Sequence, residues 1–460
     1  MRPTIRTAMF AAVAASLVRP GTTYAWEPGT THAGLAENAA LGSRLHRRLV
    51  ALGFSGGLFE MLTIPPADSP TLSKALKLLS PSHGSVPDAR GRQVALGWLA
   101  AGAAIADVPA AHGANHFLDP RAGTGWSAPN RSLVEGVSDK FRSTAIPEQG
   151  IPAVQWVTAK DNPFNVDAFY AQYAKAVGAA TPGERSRHMA AALVAAGAII
   201  HVLGDLGAPS RVRGDAAAHL EPLGGGPDDL GSRFERIAAL TYGRLGVPTA
   251  SRTITRASVH DFFTSRNGDG LADVIERSYF SPNTLPSPSR VSDSSKPVLA
   301  RPLPALKARL NVMAANRDDG TVLRDAAGTC LARYRVDHDV LSFSIDDDCV
   351  LEQLAVILPD VAAYETGLLD FLLRGELAIS GDDTFAVSGA GLGAGTVELF
   401  VEDARGVRSK VATATTAGSG TEPLIRAAAP VSGSRVVAVF RGVDAAGEPI
   451  VAAGGVAIAR

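Results

Sequence analysis

The sequence predicts a mainly α-helical fold followed by a small C-terminal β-sandwich, and three observations carry that prediction. Apolar residues recur at helical spacing from residue 35 to about 245, a long helical run returns at 351–373, and from about 378 the apolar period drops to two. The helical stretches are 41–52, 93–105, 166–177, 187–203, 230–245 and 351–373, the last stopping at Gly375. A Pro- and Ser-rich connection covers 281–304. Beyond it, CLARYRVDHDVLSFSIDDDC alternates like the two strands of a hairpin, with Cys330 and Cys349 at its base. The segments TVELFVED, SKVATATT, SRVVAVFRGV and PIVAAGGVAI are short strands separated by Gly and Asp, the pattern of a sandwich. The expected division is a signal segment at 1–25, a helical domain at 26–377 with a disulfide-closed hairpin insertion near 328–350, and a β-sandwich at 378–460.

The start of the chain predicts export. Arg2 and Arg6 precede an apolar run at 8–18, and Thr23-Tyr24-Ala25 ends in the small residue that signal peptidase requires. The mature protein is expected to be secreted or periplasmic. After that segment the longest apolar run, 189–200, is too short to cross a bilayer. In an oxidising compartment the two cysteines pair most simply with each other, and no cysteine follows the signal to carry a lipid. With 44 basic and 45 acidic residues, no global field favours nucleic acid or an anionic membrane.

Cleavage after Ala25 leaves Trp26 with a free α-amine. That amine and the neighbouring carbonyl oxygen are able to chelate a metal, whereas an internal amide nitrogen has its lone pair tied up in resonance. His32 follows six residues later. In AIIHVLGD, His201 and Asp205 lie four apart, on one helix face and one turn from each other, which suits joint metal coordination or a buried His–Asp pair. IADVPAAHGANHFLDP carries Asp107 at the end of an apolar helix and His116 in the turn beyond. Their alternative reading is a polar helix terminus with an Asx turn.

Taken in order, Trp26 and His32 in TTYAWEPGTTHAGLAENA, Asp107 in IADVP, His116 in NHFLDP, and His201 with Asp205 in HVLGDLGAP resemble the zinc-dependent phospholipase C and S1/P1 nuclease superfamily. The resemblance covers residues 26–245. It implies a helical bundle with a zinc cluster that hydrolyses phosphate esters. Asp107, His116, His201 and Asp205 would hold one zinc; the Trp26 amine and carbonyl, His32 and the other oxygen of Asp205 would hold a second. Asp107 would orient the attacking water or accept its proton.

A third zinc in that family takes two His and one Glu, and here the two His positions are Arg211 and Gly231, leaving Glu235 as the one matching ligand. Asp215 and His219, four apart, are candidate substitutes or a solvated pair. Arg211 and Arg213 offer another substitute, a guanidinium fork holding a phosphate oxygen in place of the missing cation. SRNGDGLADVIE (265–276) approaches a calcium loop, with Ser265 where the first Asp belongs, and reads better as a Gly-rich turn before a helix. Asp346, Asp347 and Asp348 read as a solvated run.

The resemblance therefore implies an exported zinc phosphodiesterase with two zinc ions, acting on a phospholipid or another phosphodiester. An S1/P1-type nuclease is the alternative, although the chain shows no nucleic-acid signal and no obvious pair of base-stacking aromatics. A zinc-binding protein that does not turn over substrate is the third reading. Some clostridial members also carry a C-terminal β-sandwich used at membranes, so peripheral membrane contact through residues 378–460 is expected, from a monomer.

Overall fold

The computed structural model describes residues 28–77, 86–128, 148–223, 230–243, 246–250, 252–290, 321–381, 384–418, 423–428, 433 and 435–458. The fold is mainly α with a C-terminal β-sandwich. Two helices form its spine. Pro182–Asp205 starts with Pro182 in its first turn and a capping box, in which Thr181 accepts from the Glu184 amide and Glu184 reaches back to the Thr181 amide. Ala95–Ile105, almost wholly Ala, Gly and Leu, crosses it at two glycines. A Cβ on Gly102 would lie 2.1 Å from the Val194 carbonyl oxygen, and one on Gly197 would lie 2.0 Å from that of Leu99. Only hydrogen at both positions lets the two backbones come this close.

Around this pair pack Ala33–Gly42, Val166–Gly178 and Asp347–Leu372. The Pro182–Asp205 helix is long and apolar enough to span a membrane, yet 89% of its apolar window is buried inside the protein, as expected of a core helix. The stretch at 41–52 is not one helix. It breaks at Ser43, extended, into Ala33–Gly42 and Leu45–Ala51. Gln93 pairs with Leu62 in a short β-ladder, so that helix starts at Ala95.

Strands Cys330–Asp337 and Val340–Ser344 form the expected hairpin, turning at His338 and Asp339 with φ of 47° and 63°. The Cys330–Cys349 disulfide closes the segment that holds the hairpin. Cys349 lies in the first turn of Asp347–Leu372, so the bond staples strand to helix. The hairpin is part of a four-stranded sheet with Thr321–Arg324 and Ser289–Arg290.

The sandwich has a three-stranded sheet (Ile425–Ala428, Thr384–Gly389, Leu377–Ser380) facing a four-stranded one (Arg408–Thr416, Leu392–Glu402, Arg435–Asp444, Pro449–Ala457), each in that order. Apart from its edge strand Arg408–Thr416, the larger sheet buries side chains on both faces. Val397, Leu399, Val436, Ala438 and Phe440 point into the sandwich, while Phe400, Val437, Val439, Val451 and Ala453 join the helical core. That explains why VVAVF is continuously apolar rather than alternating.

Candidate metal centre

Five elements deliver their ends to one buried place. Asp107 follows Ala95–Ile105, His116 follows the turn Ala110–Asn115, and His201 and Asp205 occupy the last turn of Pro182–Asp205. His32 closes the turn before Ala33–Gly42, and the Pro209–Val212 turn brings Arg211. Asp107, His116, His201 and Asp205 are all buried and each offers a ligand atom within 4.8 Å of the others, a group able to hold a metal ion.

Asp205 is central. Its Oδ2 lies 2.8 Å from His116 Nδ1 and 3.3 Å from His201 Nε2, while its Oδ1 lies 3.0 Å from His32 Nε2. Each carboxylate oxygen thus meets a different set of imidazoles. Asp107 closes the other side, 3.1 Å from His116 Nδ1 and 3.4 Å from His201 Nε2. The His201 Nδ1–H donates to the Ala103 carbonyl oxygen at 2.6 Å, because a carbonyl only accepts. That bond turns Nε2 toward the carboxylates, and an outer partner of this kind is what fixes the tautomer of a metal-binding histidine. The His32 ring stacks on His201 with centroids 3.6 Å apart.

Buried acids crowd this region. Among the described residues, Asp107, Asp205, Glu235 and Glu365 bring four carboxyl groups to this region, each at most 3% exposed, against the one guanidinium of Arg211. Buried carboxylates so poorly matched are strongly unfavourable. Burial works against the charged form of His201, but Asp205 and Asp107 outweigh it and raise its pKa to about 10. Burial likewise opposes ionisation of Asp107, and His201 and His116 reverse this, holding the carboxyl far below its usual range. His32 is driven down to about 4 by burial and by His201, against Asp205.

The donor set fits zinc. Two imidazoles and two carboxylates are ligands it accepts without thiolate. Asp107 Oδ1 and Oδ2 and His201 Nε2 make no hydrogen bond although buried, so their lone pairs remain for a cation.

Arg211 stands beside the cluster, 3% exposed, with Nη1 3.5 Å from Asp205 Oδ2, Nε donating to Glu235 Oε1 at 3.0 Å, and its guanidinium over Phe117 at 4.7 Å. Nη1 has no hydrogen-bond partner. Burial pushes the Glu235 carboxyl up to about 8 against the pull of Arg211. His219 lies behind, Nε2 bonded to Ser210 Oγ at 2.8 Å and Nδ1 3.8 Å from Glu235 Oε2.

Other candidates go elsewhere. Trp26 lies outside the described residues. Asp215 is buried but not turned to the cluster, since its oxygens accept from the Asn283 amide (2.9 Å), the Asn283 side chain (2.8 Å) and the Ala218 amide (3.2 Å). It is not a solvated partner of His219 either. Arg213, read with Arg211 as a phosphate fork, donates to the Glu276 and Tyr279 carbonyls and to Thr284 Oγ1. It serves the end of the Leu271–Ser278 helix. In the calcium-like segment, Asp273 caps that helix and the Glu276 carboxylate pairs with Arg121 and Arg213, which leaves a turn before a helix. Asp346 caps Asp347–Leu372 and pairs with Arg333, Asp347 pairs with Arg233, and Asp348 lies 3.6 Å from Arg333.

The residue that sequence reasoning missed is Glu365. Its sequence signal was present, a lone acid within the apolar run VAAYETGLL, but nothing in the sequence says which face of the helix is buried.

No family model matches this chain, and no curated protein does. Among solved structures the chain is similar to an alpha toxin from Clostridium absonum, with 12% identity and a TM-score of 0.32 over 94% of this chain and 99% of that one. It is also similar to a Clostridium perfringens alpha-toxin isolated from avian strain SWCP, with 11% identity and a TM-score of 0.31 over 95% and 100%.

Proposed function

We propose that this protein is an exported, zinc-dependent phosphoric ester hydrolase that cleaves phospholipid headgroups in the manner of a phospholipase C. The observation that carries this reading is the buried quartet Asp107, His116, His201 and Asp205, with His32 on the second oxygen of Asp205. The quartet would hold one zinc. His32 and Asp205 Oδ1, with the amine and carbonyl of a processed Trp26, would hold another. Bound zinc supplies positive charge for the phosphoryl oxygens and acidifies water.

The chain's own residues do the rest. Asp107, whose oxygens lack hydrogen-bond partners, would orient the attacking water or accept its proton. Arg211 Nη1 is a buried, unused donor beside Asp205 and would hold a phosphoryl oxygen, as the built-in cation where the resembling family has a third zinc. Glu235 and the Phe117 ring keep the guanidinium from swinging away. The sandwich would bring the site to a lipid surface.

The test uses the mature secreted protein with its amino terminus sequenced and its zinc counted. Phosphatidylcholine liposomes should lose headgroups, a chelator should stop this, and added zinc should restore it, with Trp26 first in the chain. Zinc-loaded protein that ignores liposomes but degrades single-stranded DNA would move the reading to the nuclease branch. Two bound zincs with no turnover on any phosphodiester would leave a binding protein.

A further inference from the structure

The Asp347–Leu372 helix lies along the turn just beyond His201, presenting Ile357, Val361 and Glu365 four residues apart on one face. The first two meet Gly207, where a Cβ would lie 3.5 Å from Ile357 Cγ2 and 2.4 Å from Val361 Cγ2. The third meets Gly204, where a Cβ would lie 2.3 Å from Glu365 Oε1. Two glycines thus admit the helix to the turn that carries Asp205, and the carboxyl fills the notch left at Gly204.

An apolar residue would complete this face, since Ile357, Val361, Leu368 and Leu372 are all fully buried. Glu365 is instead 1% exposed with Oε2 unpartnered, and burial raises its carboxyl well above the usual carboxylate range, with His201 pulling it down and Asp205 pushing it further up. An unmatched carboxyl at a core position weakens the fold. A residue that breaks the local packing rule beside a reactive cluster is the mark of function.

We propose that Glu365 is a positioning residue of the metal centre. It acts through the Gly204–Asp205 turn, backing His201 and Asp205 with an outer carboxyl that strengthens cation binding. The inference rests on the metal reading given under the proposed function. Partners hydrogen-bonded to a metal ligand are worth about 10- to 100-fold in metal affinity, and Glu365, packed against the Gly204 backbone next to Asp205, is set at the lower end of that range.

The experiment compares the mature wild-type protein with Glu365→Gln and Glu365→Leu. It reads zinc retained against a graded chelator, and thermal melting of the metal-free proteins. Both variants should hold zinc about 10-fold more weakly, while their metal-free melting temperatures stay level or rise, because an unmatched carboxyl has gone. Unchanged zinc retention would overturn the assignment, as would weaker retention that only tracks a fall in metal-free stability. Should Glu365→Gln fail to fold, Glu365→Leu carries the same readout. A wild-type protein without zinc sinks the metal reading and this inference together. A wild-type protein with zinc that Glu365→Gln holds equally well sinks only the role of Glu365.

Discussion

Arg211 is a buried cation beside the Asp–His cluster, and its surroundings explain how a fixed charge is tolerated there. Burial disfavours its charge, but Asp205 and Glu235 more than offset this and raise its pKa. Arg211→Ala would strand Glu235 and remove the unused Nη1 donor. Turnover of a water-soluble phosphodiester should fall by about 100-fold or more, in line with loss of one preorganised donor. Arg211→Lys should recover only part, because a point charge cannot serve Glu235 and a phosphoryl oxygen from one planar fork. Full activity in Arg211→Ala, measured as kcat/KM with zinc content unchanged, would remove Arg211 from the chemistry. At this scale the sequence disclosed residue types well. His32, Asp107, His116, His201 and Asp205, grouped by motif and order, meet in one buried cluster, and their roles there belong to the proposed function. Asp215 was proposed because it lies four residues from His219, yet its short turn and Asn283 consume both oxygens.

Helices set how well those residues meet. Asp107 leaves one helix and His201 rides on another, so the crossing at Gly102 and Gly197 determines their separation. Gly197→Val would put its Cβ 2.0 Å from the Leu99 carbonyl oxygen and add two methyl groups to the crossing. Overpacking of this kind costs about 1–3 kcal/mol and sometimes more, and the upper end is expected because the obstacle is backbone. Urea unfolding should report the loss. An unfolding midpoint within error of wild type would show that the helices part without strain. Periodicity revealed most of these helices. It missed the break at Ser43, because apolar spacing runs on through the kink and only the extended backbone of that residue ends the helix.

At the scale of the whole molecule, the sandwich is held by guanidinium groups as well as by apolar area. Arg408 donates to the carbonyls of Val177 and Leu52 at the ends of two helices, where unpaired carbonyls and the helix dipole favour a cation. Arg435 reaches Ala51, and Arg185 reaches Gly406 from the other side. Arg374, just past the long helix, binds Tyr170 Oη at 2.8 Å and Asp444 Oδ2 at 2.8 Å, tying a sandwich turn to the helical core. Burial alone would raise the Asp444 pKa, but the Arg374 hydrogen bonds and the Glu448 and Ala446 amides hold it below its ordinary value. A depressed carboxylate stabilises the fold above its unfolded pKa, and that contribution disappears as pH falls through the folded one. Its loss therefore belongs below about pH 4. Asp444→Asn should be less stable at neutral pH and lose less on acidification, read from thermal melting between neutral and acid buffers. Parallel melting curves would place the acid sensitivity elsewhere.

By itself the sequence determined the class of the fold, the order of its helical and β parts, and the identity of the polar residues at its centre. These are local properties: a period of 3.6 or 2, a cap, a His and an Asp one turn apart. Only the tertiary structure decided that Asp205 offers its two oxygens to different imidazoles, that Arg213 turns away while Arg211 turns in, and that Glu365 reaches Gly204 across 161 positions of chain. Such choices depend on which backbones approach within a few ångströms, and close packing of distant segments sets that distance, which no local pattern encodes.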